Sequence, residues 1–289
     1  MLQMGLRAGE RPRALVTTTP RPLPLLKALA ASPRTVVSRG RTADNVNLSR
    51  EAIAILVETY GGTRLGRQEL DGELIEDLEG ALWTREGIER ARVDGIGGGG
   101  DGDPIVPGTA TSPSHGDCPL RVVIGVDPPA SNEGACGIVV CGLGTDPASG
   151  RPVGYVLGDH SVEGLPPEGW ARAVAAAAEA WEADLVIAET NQGGEMVENT
   201  LTNADCALPV RGVWARYGKG RRAEPVSVLF ARGKAKFAGA FPALEDQLCG
   251  MTAAGYKGPG RSPDRADAMV WALAELMLGR RSEPRILIV

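Results

Sequence analysis

Two carboxylates follow apolar runs in this sequence. Residues 121–126 end at Asp127, and residues 185–188 end at Glu189. Both runs lack alternating polar residues, which is typical of strands buried on both faces. If the two strands are parallel neighbours, their carboxylates converge at one edge of a sheet. For Asp127 alone the alternative is a turn, because Asp-Pro is a common turn start and Pro128 comes next.

A third carboxylate is predicted to face the same edge from a helix at 264–278. The apolar stripe of this helix consists of Val270, Leu273, Ala274 and Met277. Asp267 falls roughly 60° from the centre of the stripe, whereas Asp264 falls roughly 120° away and nearer solvent. Asp267 is therefore the stronger candidate to face the sheet, with Asp264 as an auxiliary. The alternative role of Asp264 is a negative charge in the first turn, which the helix macrodipole favours.

Three converging carboxylates need a cation, because a carboxylate at the mouth of an apolar core is costly unless something positive meets it. We expect no Lys or Arg among the three, so the cation would be a metal ion. Hard oxygen ligands favour Mg²⁺ or Mn²⁺. Two such ions about 4 Å apart commonly cleave phosphodiesters, one activating a water and the other stabilising the leaving oxygen. The alternative is three unrelated structural carboxylates.

The elements that would position these residues predict an α/β domain. Strands are expected at 121–127, 137–143, 154–162, 185–189 and 210–215, and helices at 166–183, 194–203 and 264–278. Short connections between the first three strands predict an antiparallel meander. Helices and strands then alternate, which indicates a mixed sheet covered by helices.

The first 85 residues offer much less to bury. Their pattern predicts strands at 13–20 and 35–38, and helices at 25–30 and 50–60, the second capped by Ser49. This content is thin for an independent domain and indicates the tail of a larger one. The Gly-rich residues 95–116 are predicted to form a flexible linker.

Composition excludes several classes of protein. A net charge of −5 over 289 residues argues against a globally basic nucleic-acid binder, so such binding requires a local patch. The five cysteines form no C-x-x-C pair, which indicates buried thiols in a reducing cytosol. The sequence lacks an 18-residue apolar stretch and a signal-peptide pattern, so we expect a cytoplasmic protein without membrane contact. His115 and His160 carry no partner signal and are predicted at the surface.

Four stretches of the chain carry a family resemblance. They are 126–140 with its VDPP and CGIVV segments, 188–194 (AETNQGG), 241–247 (FPALEDQ) and 262–268 (SPDRADA). Together they resemble the nuclease domain of the large terminase subunit, the DNA-packaging motor protein of tailed bacteriophages and gene-transfer particles. The resemblance covers roughly residues 120–278 and implies a ribonuclease-H-like fold.

The resemblance also implies roles for site residues. Asp127, Glu189 and Asp267 would be the catalytic ligands of two Mg²⁺ or Mn²⁺ ions, with Asp264 as a candidate fourth ligand. A basic loop after the last strand would hold DNA backbone phosphates independently of sequence; its residues are Arg216, Lys219, Arg221 and Arg222. The alternative for this loop is an ordinary solvated segment.

The N-terminal part resembles the end of the packaging ATPase domain of the same family. Residues 16–22 look like the coupling segment after the Walker B strand, and residues 68–73 like the segment that closes the domain. The sequence contains no G-x-x-x-x-G-K-[ST], so we expect this chain alone neither to bind nor to hydrolyse ATP. An incomplete P-loop ATPase remnant would thus precede the nuclease domain, in a truncated or split reading frame. We therefore expect four parts: an ATPase remnant at residues 1–85, a linker at 86–118, the nuclease domain at 119–280 and a tail at 281–289.

The expected function is that of an endonuclease that cuts concatemeric double-stranded DNA during packaging. Expected partners are the DNA, the portal protein, the small terminase subunit and a chain with the missing ATPase half. One alternative is a non-catalytic remnant that binds a portal or partner subunit. Another is a ribonuclease-H-like resolvase, which would share the metal chemistry but recognise DNA junctions. The retained carboxylates favour catalysis, whereas the missing ATPase half favours decay of the motor.

Overall fold

The computed structural model describes residues 13–18, 24–60, 64–73, 78–93, 121–129, 131, 134–146, 149–204 and 209–279. The chain divides into two compact units, Met1–Glu76 and Asp77–Val289. The predicted linker at 95–116, the tail at 281–289, His115, Cys118 and Cys206 lie outside the described residues. Every helix within the described ranges is too short or too polar to span a bilayer.

The first unit is built from short helices. They are α1 (Pro24–Ala30), the 3₁₀ turn Thr42–Asp44, α2 (Arg50–Tyr60) and α3 (Arg64–Glu69). The prediction of a helix at 50–60 is confirmed, and the hydroxyl of Ser49 accepts a hydrogen bond from the Ala52 N–H at 3.1 Å. The strands predicted at 13–20 and 35–38 are wrong for residues 13–18 and 35–38, which are irregular and exposed, and residues 19–20 lie outside the described residues. A strand needs a neighbouring strand for its backbone hydrogen bonds, and neither segment belongs to a sheet in the described part of this unit.

The second unit is organised around a mixed sheet. Its strands are β1 (Arg121–Asp127), β2 (Ala135–Thr145), β3 (Pro152–Asp159), β4 (Val162–Glu163), β5 (Leu185–Glu189), β6 (Val210–Val213) and β7 (Ala235–Phe237). The order is β6-β5-β1-β2-β3-β7, and β4 pairs with β2. The antiparallel meander β1-β2-β3 is confirmed. The parallel pairing of β1 with β5, in register at Val126 and Ala188, is confirmed too and places Asp127 and Glu189 at one edge.

Helices cover both faces of the sheet. They are α4 (Arg85–Arg90), α5 (Pro167–Ala180), α6 (Glu195–Asn203), α7 (Lys219–Ala231), α8 (Pro242–Cys249) and α9 (Asp264–Met277). The apolar residues of α5 and α6 belong to one core cluster, and those of α7, α8 and α9 to another. The predicted mixed α/β fold is confirmed. A small hairpin of β8 (Met251–Thr252) and β9 (Gly255–Tyr256), together with α7, α8 and β7, was not predicted from the sequence.

Two glycines allow α9 to lie directly on the sheet. A side chain at Gly125 in β1 would overlap the carbonyl oxygen of Ala268, and one at Gly137 in β2 would overlap that of Asp264. Because glycine has no Cβ, the helix backbone approaches these strands more closely than a larger residue permits. This approach brings the first turn of α9 to the end of β1.

Residues 78–93 pack with the second unit. Trp83 and Ile88 are buried in its core. Arg85 forms ion pairs with Glu245 at 2.9 Å and Asp246 at 2.5 Å, both in α8. The sequence-based division assigned this segment to the ATPase remnant and the linker, whereas its side chains complete the core of the sheet domain.

His160 is not the partnerless surface residue that the sequence suggested. Its Nε2 accepts a hydrogen bond from Trp181 Nε1 at 2.9 Å, and the residue is half-buried. Burial lowers the pKa of His160 below its ordinary value, although Asp159 opposes this shift. The neutral ring is therefore the form that the fold favours. The described cysteines, Cys136, Cys141 and Cys249, are buried, as expected.

Candidate metal centre

Three carboxylates from three elements meet at the edge of the sheet. Asp127 ends β1, Glu189 ends β5, and Asp267 lies in the first turn of α9. Each offers one oxygen atom, and these oxygens all lie within 4.8 Å of one another. Asp267 is completely buried and Asp127 nearly so, while Glu189 is half-buried. Within the described residues, this is the cluster whose composition and spacing suit a metal ion.

Two cationic side chains lie among these carboxylates, and the expectation that none would do so is wrong. Lys219 Nζ donates hydrogen bonds to Asp127 Oδ2 at 2.5 Å and to Asp264 Oδ1 at 3.0 Å. It also contacts Ser262 Oγ at 2.8 Å and lies 3.5 Å from Asp267 Oδ2. Lys219 thus links the end of β1 to the first turn of α9.

Arg222 joins the other two carboxylates. Its Nε donates to Asp267 Oδ1 at 2.7 Å, and its Nη2 donates to Asp267 Oδ2 and, at 2.6 Å, to Glu189 Oε2. Trp271 Nε1 donates to the same Glu189 oxygen at 3.0 Å. The Arg222 guanidinium carbon lies 5.0 Å from the centre of the Trp271 ring. These planar, charge-assisted contacts hold both carboxylates in fixed orientations.

The two cations reach the site because residues 219–231 form a helix rather than a loop. Lys219 and Arg222 are three residues apart, so they lie on one side of the first turn of α7. A helical signal was present in the sequence, because buried apolar residues repeat at three- and four-residue spacing; they are Ala223, Val226, Leu229 and Phe230. The same spacing extended backwards would have placed Lys219 and Arg222 on the inward-facing side.

The site holds an excess of negative charge. Burial raises the pKa of Asp127 well above its ordinary value, Asp267 raises it further, and Lys219 only partly opposes this. Burial and Asp267 likewise raise the pKa of Glu189, with Arg222 acting in the opposite direction. Although burial lowers the pKa of Lys219, the neighbouring carboxylates, Asp127 foremost, raise it above its ordinary value. Four carboxylates, counting Asp264, thus face two cations.

This donor set fits a hard divalent ion. All the candidate ligand atoms are carboxylate oxygens, which Mg²⁺ and Mn²⁺ prefer. The raised pKa of Asp127 reflects burial and repulsion by Asp267, and a nearby divalent charge would relieve that repulsion. Asp264 lies beside the cluster, half-buried and paired with Lys219. Arg216 and Arg221, the other basic residues singled out in the sequence, are exposed to solvent.

Most of the second unit matches a known protein family. The family model described as "Terminase RNaseH-like domain" matches residues 124–276, which include all three clustered carboxylates. The chain belongs to this family. The resemblance drawn from the sequence motifs is therefore confirmed, and the second unit of this terminase-type chain is a nuclease domain of the ribonuclease-H fold.

Several solved structures are similar to this terminase-type chain. The large terminase nuclease from thermophilic phage G20c is 14% identical and has a TM-score of 0.46, covering 68% of this chain and 98% of its own. The large terminase of bacteriophage HK97 is 14% identical with a TM-score of 0.41, over 78% of this chain and 50% of its own. Thermus thermophilus RuvC is 17% identical with a TM-score of 0.33, and the match covers 54% of this chain and 92% of its own. The comparison with curated proteins found no match.

Proposed function

We propose that this chain is the nuclease-bearing part of a large terminase subunit. It acts as a metal-dependent endonuclease that cuts concatemeric double-stranded DNA during packaging into phage or gene-transfer particles. The observation that carries the proposal is the convergence of Asp127, Glu189 and Asp267 within 4.8 Å in a terminase RNaseH-like domain. Buried ion pairs often stabilise a fold no better than apolar side chains of similar volume do, so the ion pairs with Lys219 and Arg222 alone do not account for this cluster.

In this proposal Asp127, Glu189 and Asp267 hold two Mg²⁺ or Mn²⁺ ions, with Asp264 as an additional ligand. The chemistry that such ions supply when bound is stabilisation of negative charge on a phosphodiester and a lowered pKa of water. The protein supplies the orientation of the ligands. Arg222 and the Trp271 indole fix the Asp267 and Glu189 carboxylates, and the backbone pairing of β1 fixes Asp127.

The basic residues have a second role in the proposed working state. Positive charge delivered to the carboxylates would release Lys219 from its ion pairs with Asp127 and Asp264, while Arg222 keeps its contacts with Glu189 and Asp267. Lys219 would then contact the phosphate that is cut, and the exposed Arg216 and Arg221 would hold phosphates on either side. Such contacts position a duplex without reading its sequence, so the binding should weaken steeply as salt is raised.

The proposal is tested by incubating the purified chain with supercoiled plasmid and Mg²⁺ or Mn²⁺. The wild type should nick and linearise the plasmid, and Asp127→Asn should not. Asp146→Asn is the matched control, because Asp146 pairs with Lys236 in a turn on another part of the sheet domain. Nicking that persists in Asp127→Asn would refute the site. A wild type that does not cut at all would refute the activity and support a non-catalytic role.

We further propose that the first unit packs against the nucleotide-binding half of a packaging ATPase. Its described residues expose nine large apolar side chains: Leu15, Val16, Leu25, Val36, Val37, Val46, Leu48, Ile55 and Val57. Exposed apolar area of this kind marks a surface for another protein, and the portal and small terminase subunit are further proposed partners. ATP should leave the nicking rate of the purified chain unchanged, and ATP hydrolysis by that chain would contradict this assignment.

A further inference from the structure

Two large aromatic side chains are exposed beside the carboxylate cluster. The exposed fractions are 65% for Trp214 and 59% for Tyr217. All other aromatic residues whose burial the structure describes are buried or half-buried. A large ring in water gains little of the stabilisation that burial supplies, and these two exposed rings lie three residues apart beside one site.

Hydrogen bonds tie the backbone that carries these rings to the site. Trp214 follows Val213 in β6, which pairs with Glu189. Next along the chain, the Ala215 N–H donates to Asn191 Oδ1 at 2.6 Å, and Asn191 Nδ2 donates to the Ala215 carbonyl at 3.0 Å. Asn191 is two residues after Glu189 in the chain, so these two hydrogen bonds hold the backbone at Ala215 next to a clustered carboxylate.

The backbone that carries the second ring is also tied to the site. Arg222, which pairs with Glu189 and Asp267, also donates through Nη1 to the carbonyl oxygen of Tyr217 at 3.0 Å. Both anchors belong to or adjoin the carboxylate cluster, so the backbone that carries the two rings is held next to it.

The surroundings of the rings are cationic. Arg216 lies between them in the chain and is exposed, and the exposed Arg221 places its guanidinium carbon 4.8 Å from the centre of the Tyr217 ring. A protein-docking surface would combine such rings with a wider apolar patch. Aromatic faces interleaved with Arg side chains instead suit single-stranded nucleic acid, whose bases stack on rings while its phosphates meet the cations.

We propose that Trp214 and Tyr217 form a stacking platform for an unpaired base next to the phosphodiester that is cut. The platform makes DNA with a locally opened or frayed segment the preferred substrate, because bases inside an intact duplex are stacked on each other and cannot reach a ring. Arg216 and Arg221 hold the phosphates that flank the unpaired base. This inference rests on the proposed nuclease function, and it adds a structural preference to a site that otherwise contacts only the DNA backbone.

The test measures binding separately from cutting. Fluorescence anisotropy, with Ca²⁺ in place of Mg²⁺, compares a labelled duplex with the same duplex carrying a short unpaired bubble. The wild type should prefer the bubble, and Trp214→Ala should weaken bubble binding by roughly tenfold or more. Duplex binding should change by less than about twofold, because phosphate contacts remain. Tyr217→Ala should act in the same direction, and Trp214→Phe should retain most of the preference because it keeps an aromatic face.

Met196→Ala is the control for loss of an exposed apolar side chain, since Met196 is 68% exposed at the start of α6. It should bind both DNAs like the wild type. Equal binding of duplex and bubble by the wild type would overturn the platform. So would unchanged bubble binding in Trp214→Ala. A bubble preference lost in Trp214→Ala, in a chain that cuts no plasmid, would support the platform while refuting the nuclease proposal.

Discussion

Lys219 Nζ lies 2.5 Å from Asp127 Oδ2, and the two residues are 92 positions apart in the sequence. Lys219 also contacts Asp264 and lies 3.5 Å from Asp267, so one ammonium group touches or approaches three carboxylates of the candidate metal centre. A divalent ion held by Asp127 and Asp267 would use the same oxygens. Lys219 and such an ion would therefore compete for them.

Replacing Lys219 by Met should consequently tighten metal binding. The competing charge-assisted hydrogen bonds are each worth about 1.5–3 kcal/mol, so we expect Mn²⁺ affinity in Lys219→Met to rise by roughly tenfold or more in isothermal titration calorimetry. The metal-free variant should be less stable than the wild type, because its carboxylates then repel one another without a counter-charge.

The matched control for this experiment is Lys236→Met. Lys236 is similarly accessible, with a side chain 23% exposed against 27% for Lys219, and it pairs with Asp146 away from the centre. Its replacement should leave Mn²⁺ affinity unchanged. If Lys219→Met binds Mn²⁺ more weakly than this control, Lys219 supports the metal rather than competing with it.

The raised pKa of Asp127 predicts a specific dependence of stability on pH. Burial, and next the Asp267 carboxylate, make the folded chain hold the Asp127 proton more tightly than the unfolded chain does. Ionising Asp127 therefore costs stability. In the metal-free protein this cost is absent below the unfolded pKa of about 3.9. It grows as pH rises towards the folded pKa and is fully present above that value.

Asp127→Asn should remove this cost. In urea unfolding with EDTA at neutral pH, the variant should have a larger free energy of unfolding than the wild type, and its stability should fall less as pH rises from acid. Added Mg²⁺ should reverse the order, because only the wild type gains the energy of a complete ligand set. Parallel pH profiles for the two proteins would contradict the assignment of the raised pKa to Asp127.

The clustered carboxylates could be predicted from the sequence because their signals are local. Asp127 and Glu189 each end an apolar run that reads as a buried strand, and Asp267 falls near the apolar stripe of a strongly periodic helix. Their convergence then follows from pairing two parallel strands. The proposal that they bind metal draws on the same residues and on the family, and it stays a prediction.

The cationic half of the site depends on packing over long distances. Helix α7 contains Pro225, and Gly218 and Gly220 lie at its start, so local propensity favours a loop there. Burial of its apolar stripe against the core outweighs that propensity. Only the folded helix brings Lys219 and Arg222 to the carboxylates, which is why sequence reasoning placed them on a DNA-facing loop.

A buried ionic network should make residues 78–93 indispensable to the sheet domain. Glu245 is completely buried, pairs with Arg85 and Arg92 at 2.9 Å each, and accepts a hydrogen bond from the Phe241 N–H. Removing one charge of a buried pair leaves the other poorly compensated, so Glu245→Gln should lower the free energy of unfolding by about 3 kcal/mol.

Glu86→Gln is the comparison, because Glu86 pairs with Arg90 in solvent, and it should change stability by less than about 0.5 kcal/mol. Similar urea midpoints for the two variants would show that the segment is only loosely attached.

Gly137 sets the distance between β2 and the first turn of α9, and a methyl group there should disturb the candidate metal centre directly. The added Cβ would overlap the Asp264 carbonyl oxygen, and backbone on both sides leaves little room to adjust. Gly137→Ala should therefore cost about 1–3 kcal/mol of stability and, by displacing Asp264 and Asp267, weaken Mn²⁺ binding.

Gly144→Ala in the same strand is the control, because its Cβ would meet only the ring of Tyr155 and no atom of α9. Calorimetric Mn²⁺ affinities that fall equally in both variants would mean that general loosening of the sheet, rather than the position of α9, governs the site.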